Sequence, residues 1–298
     1  MKADLLLLLT AAIWGFAFVA QRVGMSHMGP FTFNGIRFSL GALSLVPFLL
    51  WGRKKEGHTT KFNWKSYSIP IVLTGLALFA GASLQQVGLV GTTAGKAGFI
   101  TGLYVILVPL LALLWGERTH RSHWVGALLA VVGLYLLSVR GDWVVSPYDL
   151  VILAGAFMWA VHVHLIARYS ALVGPVRLAM AQFAICGLLS LIVAGLFEPI
   201  NLSGVGDGIW TILYGSFLSV GLAYTLQVVA QRTANPSHAV IIMSLEGAFA
   251  ALGGWLVLRE ALAPRDLVGA GLMLVGTLIS QFLGQPRVKV IKTGLKHG

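Results

Sequence analysis

Acidic residues are scarce in this chain: ten Asp and Glu in 298 positions, and charged side chains of either sign make up only 10% of it. Soluble domains carry about 25%. So little charge cannot coat a chain that is 57% hydrophobic with a mean hydropathy of +0.84. A soluble globule is excluded, and the sequence reads as a membrane protein. Cysteine is almost missing as well. The lone Cys186 excludes an intrachain disulfide and a cysteine-built metal cluster, and is expected to be a small packing residue. No phosphate loop, nucleotide fingerprint or metalloprotease motif occurs, so ATP-driven transport by this chain alone is set aside, and neither cofactor nor metal is expected.

What the chain has instead is long apolar runs. A membrane helix needs about 20 mostly apolar residues, because each backbone polar group must be bonded within the segment. Ten such segments are expected, at 4–22, 31–51, 67–87, 94–115, 123–140, 149–168, 175–197, 208–231, 237–258 and 265–284. The first is not a signal peptide, since its counterpart from Leu150 to Ala167 lies in mid-chain and shares its tryptophan. Pro30, Pro175, Pro236 and Pro264 stand at the joins, where proline begins a helix at no hydrogen-bond cost.

The net charge of +11 points to nucleic acid only if its placement is ignored. With the N-terminus cytoplasmic, 15 Lys and Arg collect on the inner side, led by Arg53, Lys54, Lys55, Lys61 and Lys65. Six remain outside, namely Arg22, Arg37, Lys96, Arg140, Arg259 and Arg265. That asymmetry is the positive-inside signature, with both termini cytoplasmic in an inner (plasma) membrane. It leaves no nucleic-acid partner to invoke, so the expected partners are the lipid bilayer and a small-molecule substrate. Trp51, Trp64, Trp115, Trp124, Trp143 and Trp210 fall at expected helix ends, as an interfacial belt requires.

The chain is one unit written twice. An offset of 143 lays Glu117, Val125, Gly126, Ala127, Leu129, Val132 and Gly133 on identical residues from Glu260 to Gly276 without a gap. At 145, Trp14 meets Trp159, Gly29-Pro30 meets Gly174-Pro175 and Phe38 meets Phe183; at 140, Gly75 and Gly81 meet Gly215 and Gly221. At 142, Ala97, Ile100 and Leu103 meet Ala239, Ile242 and Leu245. The expected fold class is therefore all-α, ten transmembrane helices in two repeats, 1–143 and 144–284, followed by a basic tail, 285–298. Five helices per repeat is an odd number, so the second repeat enters the membrane inverted. Inverted repeats are the architecture of many secondary transporters, whose midplane site opens alternately to each side. A complete pathway in one chain leads to the expectation of a monomer.

Trp14-Gly15, Arg37, Val108-Pro109, Gly116-Glu117 with Gly126 and Gly133, Leu245-Glu246, Arg259-Glu260 and Gly269 together resemble the drug/metabolite transporter superfamily, as two tandem EamA units. The resemblance covers nearly the whole chain. Within it, Ile13 to Gln21 is similar to YddG-type exporters of aromatic and other apolar amino acids. It implies an alternating-access exporter of small amphipathic metabolites, most of all such amino acids. In place of the family's frequent Glu-Pro in the ninth helix stands Glu246-Gly247, so a bend there is expected to rest on Gly247.

Charge at membrane depth costs about 2.5 to 3.5 kcal/mol at a helix centre on insertion scales, so such residues mark candidate sites. Glu246, preceded by Ser244, reads equally as a site for a substrate amine or proton and as a carboxylate bonded to neighbouring hydroxyls. Arg37 could receive a substrate carboxylate, although snorkelling to the outer interface is the cheaper fate for its long side chain. His162 and His164 lie about 200° apart around a helix, so both cannot face one cavity, and His162 is taken as the cavity candidate. Trp14 and Trp159 are expected to face each other across a central cavity. Phe79, Phe99, Tyr104 and Tyr224 complete the aromatic candidates, Tyr104 being the repeat partner of Glu246. Gly98 and Gly102 form a GxxxG that suggests close helix packing.

Three rivals are weighed. Cation efflux through Glu246 is the runner-up among transport functions. Asp149 and Asp207 suggest the paired aspartates of an intramembrane protease, yet both fall at expected helix starts, where an N-cap carboxylate belongs. The third is a channel or passive scaffold: a scaffold has no need of inverted symmetry, and a channel would conduct without saturation.

Overall fold

A computed structural model describes residues 2–55, 64–92, 94–116, 119–138, 145–199, 202–258 and 263–283. The side chains of the basic loop 52–66, the boundary at 143/144 and the tail 285–298 lie outside the described residues. No strand occurs among those described. Among the described residues nine helices are long and apolar enough to cross a membrane: α1 (Lys2–Gly24), α2 (Pro30–Trp51), α3 (Tyr67–Gly91), α4 (Ala97–Leu114), α6 (Pro147–Val173), α7 (Pro175–Phe197), α8 (Ile209–Gln231), α9 (Pro236–Val257) and α10 (Pro264–Leu283). A shorter apolar helix, α5 (Arg121–Leu137), makes the tenth. Each coincides with an expected segment to within a few residues. The protein is a multi-pass membrane protein.

Neighbour relations obey the duplication. Adding five to a helix number maps α1 onto α6 and α3 onto α8. The contact of α1 with α9 is matched by α6 with α4, that of α3 with α6 by α8 with α1, and that of α3 with α7 by α8 with α2. Three pairs map onto themselves, α2 with α7, α4 with α9 and α5 with α10. The last explains why the echo is clearest there. A Cβ on Gly133 would stand 2.5 Å from the carbonyl oxygen of Gly269, one on Gly269 2.6 Å from that of Gly133, and Gly126 and Gly276 repeat the arrangement at 2.7 Å. Glycines that match one another at the 143 offset thus seat the antiparallel α5–α10 crossing, backbone on backbone. The GxxxG of α4 is different. Gly102 presses on Leu134, but a Cβ on Gly98 would meet nothing within 4 Å, so the pair is no packing motif.

Three irregularities position the site. Helices α4 and α9 are each interrupted at matching places, Leu103 and Ser244–Leu245, where Leu103 N–H donates to Ile100 and Leu245 N–H to Ile242, both at 3.2 Å. Three-residue spacing tightens the turn and re-aims the half-helix that follows. Tyr104 and Glu246 open those second halves. The bend in α9 therefore precedes Gly247, whose missing side chain instead makes room for Leu134. The third irregularity is the π-helical stretch Tyr214–Tyr224 within α8. Across it the repeat offset grows from 140, Gly75 on Gly215, to 142, Gln85 on Gln227. Its wider turns take up the two extra residues.

The two glycine-proline joins do unlike work. Gly174 adopts φ 91°, whereas Gly29 is extended at φ −66°. At Gly29 the constraint is space, since the Glu198 carboxylate would meet any side chain there. That carboxylate accepts the N–H groups of Phe31 and Thr32 at 2.8 Å and so caps α2 from the end of α7. Asp149 caps its own α6 in a reciprocal box with Ser146 and also accepts the Thr92 hydroxyl at 2.8 Å. Asp207 instead closes the short helix Leu202–Asp207 and caps no helix start, contrary to the sequence expectation. Exposed Trp51, Trp115 and Trp210 lie at helix ends.

Candidate functional site

Between the repeats lies a cavity of about 40 Å³. A single water needs roughly 10–15 Å³ on the same kind of measure, so this conformation holds a few waters and no amino acid. Its wall comes from both repeats: Trp14, Phe18 and Gln21 of α1, Arg37 of α2, Gln85 of α3, Thr101 and Tyr104 of α4, Trp159 and Val163 of α6, Ser219, Tyr224 and Gln227 of α8, Met243 and Glu246 of α9. Most of these positions are repeat partners. Trp14 matches Trp159, Phe18 matches Val163, Gln85 matches Gln227, Thr101 matches Met243 and Tyr104 matches Glu246.

Two charged side chains face this space. Arg37 is 2% exposed, which overturns the snorkelling expectation. Its Nε donates to Asn34 Oδ1 at 2.9 Å, and Asn34 is itself held by donating to the Ala82 carbonyl of α3 at 3.1 Å. The guanidinium lies over the rings of Phe38 and Phe33, 4.8 and 5.3 Å from their centroids. This cation–π setting holds the side chain inside rather than at the interface. Glu246, 5% exposed, accepts the Tyr104 hydroxyl at 3.3 Å, so two residues at matching repeat positions touch across the approximate two-fold. Neither charge forms an ion pair among the described residues. One comes from each repeat.

The aromatic arrangement departs from a face-to-face tryptophan pair. Tyr224 stands with both, 4.5 Å from Trp14 and 5.9 Å from Trp159, the latter stacked at 29°. Phe38 and Phe183 back the same tyrosine at 5.9 and 6.0 Å. Each indole N–H reaches into the opposite repeat. Trp159 donates to Gln85 Oε1 at 2.9 Å, and Gln85 in turn donates to Gln21 Oε1 at 3.3 Å. Trp14 donates to the Ser219 carbonyl at 3.3 Å, within the π-helical stretch. Gly81 leaves just enough room for the Trp159 ring, whose nearest atom would be 3.0 Å from a Cβ there.

Of the ten residues singled out from sequence, Trp14, Arg37, Tyr104, Trp159, Tyr224 and Glu246 line the cavity. The other four do not. Phe79 packs on the core with Phe31 at 6.5 Å, and Phe99 lies between two smaller apolar clusters against Tyr135. His162 sits behind the wall, its Nε2 2.8 Å from Gln182 Oε1 and its ring edge-on to Trp159. Ser244 turns back onto its own helix, donating to the Ile241 carbonyl at 2.8 Å. His164 reaches the Val108 carbonyl on another side of α6, as the 200° separation requires. Among the described residues no group of three His, Cys, Asp or Glu is placed to hold a metal.

Attention to charge alone passed over the amides, Gln21, Gln85 and Gln227, which membrane-depth polarity would have flagged. Phe18 with Val163 and Thr101 with Met243 are two further pairs of repeat partners on the wall that the sequence does not single out.

Comparison with known proteins bears on the family and the fold. The sequence model of the EamA-like transporter family matches residues 1–139 and again 146–282. An uncharacterized transporter of Archaeoglobus fulgidus is 34% identical over 93% of this chain and 85% of its own length. The threonine/homoserine exporter RhtA of Escherichia coli K12 is 27% identical over 96% of this chain and 93% of its own. A probable amino-acid metabolite efflux pump of Salmonella typhimurium is 26% identical over 94% and 95%. One solved crystal structure superimposes with a TM-score of 0.80 over 96% of this chain and 98% of that one, at 20% identity, which shows the fold alone.

Proposed function

Because the chain belongs to the EamA-like transporter family, we propose that its cavity carries small amphipathic zwitterions, amino acids foremost, outward by alternating access. The observation that carries the reading is a pair of buried charges, neither of them ion-paired among the described residues. Arg37 offers a donor to a carboxylate and Glu246 an acceptor to an ammonium, on one cavity and from opposite repeats. A buried charge with no opposite charge beside it is costly, and a zwitterion answers both at once. The apolar walls accept the rest of the molecule. Two relatives named as exporters of amino acids or their metabolites support the substrate class.

An apolar or aromatic side chain is the expectation that the resemblance to YddG-type exporters adds, supported by the five aromatic residues on the wall. One chain supplies both halves of the pathway, which supports a monomer as the working unit. The division of basic residues, 15 against six, supports an inner membrane with both termini cytoplasmic.

The test is counterflow of a radiolabelled amino-acid panel in proteoliposomes holding the purified chain. Saturable exchange is expected, with Arg37→Gln raising KM about tenfold or more for an amino acid but not for the corresponding amine that lacks the carboxylate. Cation efflux through Glu246 predicts the opposite pattern, with amines moved well and Arg37→Gln without effect. Linear, non-saturating flux would point to a channel and sink the carrier reading.

A further inference from the structure

We infer that Thr101 and Gln227 form the subsite for the substrate's side chain and select a hydroxyl-bearing side chain over an apolar one of the same shape. The inference rests on the amino-acid reading above and goes beyond it by choosing among side chains, against the apolar or aromatic one that the resemblance adds.

The reason lies in how the two repeats use matching residues differently. In the first repeat the Gln85 amide is fully employed, taking the Trp159 N–H and donating to Gln21. Its repeat partner Gln227 does not do the same for Trp14, whose N–H donates to the Ser219 carbonyl in the π-helical stretch instead. Gln227 is left 1% exposed on the cavity wall with an Oε1 that has no hydrogen-bond partner among the described residues. Thr101 is left in the same condition, 3% exposed with an unpartnered Oγ1, and its repeat partner is the apolar Met243. Two polar atoms without partners, on one small cavity, both lie where the approximate symmetry is broken.

An orphaned acceptor in such a place is a standing penalty that a ligand group can relieve. The chemistry of that group follows from what is missing. Gln227 Oε1 needs a donor, while the Thr101 hydroxyl both donates and accepts. A carbonyl or carboxylate on the ligand has no proton for the amide oxygen. An alcohol serves both partners, and serves the amide in either rotamer. One face of Tyr224 is already stacked against Trp159, 5.9 Å away at 29°. A site built to hydrogen-bond a hydroxyl rejects the analogue lacking it far more strongly than an apolar pocket rejects one extra methyl group.

Threonine and valine are the isosteric probes. In proteoliposomes of the full chain, kcat/KM for counterflow of each is measured beside that for phenylalanine, in wild type, Thr101→Val, Thr101→Ser, Gln227→Met and Gln227→Glu. Expected is a wild-type preference for threonine over valine of about tenfold or more. It should fall toward one in Thr101→Val and Gln227→Met and survive in Thr101→Ser and Gln227→Glu, each variant keeping a cooperative melt in detergent. Equal transport of threonine and valine means that water alone fills the subsite and overturns the inference, as does a preference for phenylalanine. Discrimination that persists in Thr101→Val and Gln227→Met overturns it too, while the amino-acid reading stands in all three cases. Wild type that moves amines but no amino acid overturns both.

Discussion

At the scale of single residues, neighbours in sequence carry opposite energetic signs. Gln85 uses its amide oxygen and nitrogen to tie Trp159 to Gln21. Gln86, next to it and 0% exposed, has no partner for either amide atom. Removing Gln85 strands a buried indole N–H, a loss of about 1–3 kcal/mol. Removing Gln86 takes away an amide that was desolvated for nothing. Gln85→Leu should therefore lower the melting temperature in detergent, and Gln86→Leu should leave it unchanged or raise it. Equal losses from both would show that Gln86 has a partner, such as an ordered water. This distinction was not legible in the sequence, where two adjacent glutamines in an apolar run look alike. What reads plainly there is that Arg37 and Glu246 are exceptional. The cation–π seat that keeps Arg37 inside is built from Phe33, Asn34 and Phe38, and becomes visible only once one helical turn is wound.

At the scale of elements, the duplication was legible because its strongest stretch is where the chain meets its own copy. The α5–α10 crossing demands glycine at Gly126, Gly133, Gly269 and Gly276, and any exchange there is felt by the backbone opposite. The break in α4 was not legible, and the bend in α9 was expected to rest on Gly247 rather than on Ser244–Leu245. Both rest on three-residue hydrogen bonds at Leu103 and Leu245, residues with no intrinsic tendency to break a helix. The π-helical stretch left one trace, the drift of the repeat offset from 140 to 142. A comparison within α10 tests the packing argument. Gly269→Ala places a methyl group 2.6 Å from a backbone oxygen, whereas a Cβ on Gly271 would meet nothing within 4 Å. Gly269→Ala should destabilise by about 1–3 kcal/mol through overpacking. Gly271→Ala should cost nothing, and even gain up to about 1 kcal/mol of helix propensity. Thermal unfolding and folded yield decide between them.

At the scale of the whole molecule, the cavity must open to one face at a time, so the ties across each face set which opening is cheaper. On the face bearing the start of α1, Asp4 accepts from His238 Nε2 at 3.0 Å, His238 Nδ1 meets Ser280 at 2.9 Å, and Gln281 adds a contact to Asp4 at 3.4 Å. Three helices, α1, α9 and α10, are joined there, with the His123 ring 6.1 Å from that of His238. On the opposite face Glu198 holds α2 to α7 through Phe31 and Thr32. The ties are unlike in kind: a side-chain pair 13% and 17% exposed on one face, and a carboxylate on backbone amides on the other. A ligand or substitution shifts such an equilibrium only by what it changes between the two states. Asp4→Asn weakens one tie by about 1 kcal/mol, enough to move the balance about fivefold toward opening on that face. Glu198→Gln should move it the other way. The buried Cys186 can be replaced by Ala and a single cysteine placed at Met243 on the cavity wall. Its labelling by a membrane-impermeant maleimide, in right-side-out and inverted vesicles, reports each opening separately. Asp4→Asn should speed labelling from the Asp4 face and slow it from the other, with Glu198→Gln the reverse. Parallel acceleration from both faces would mean that these contacts hold the fold together rather than choose between its two openings.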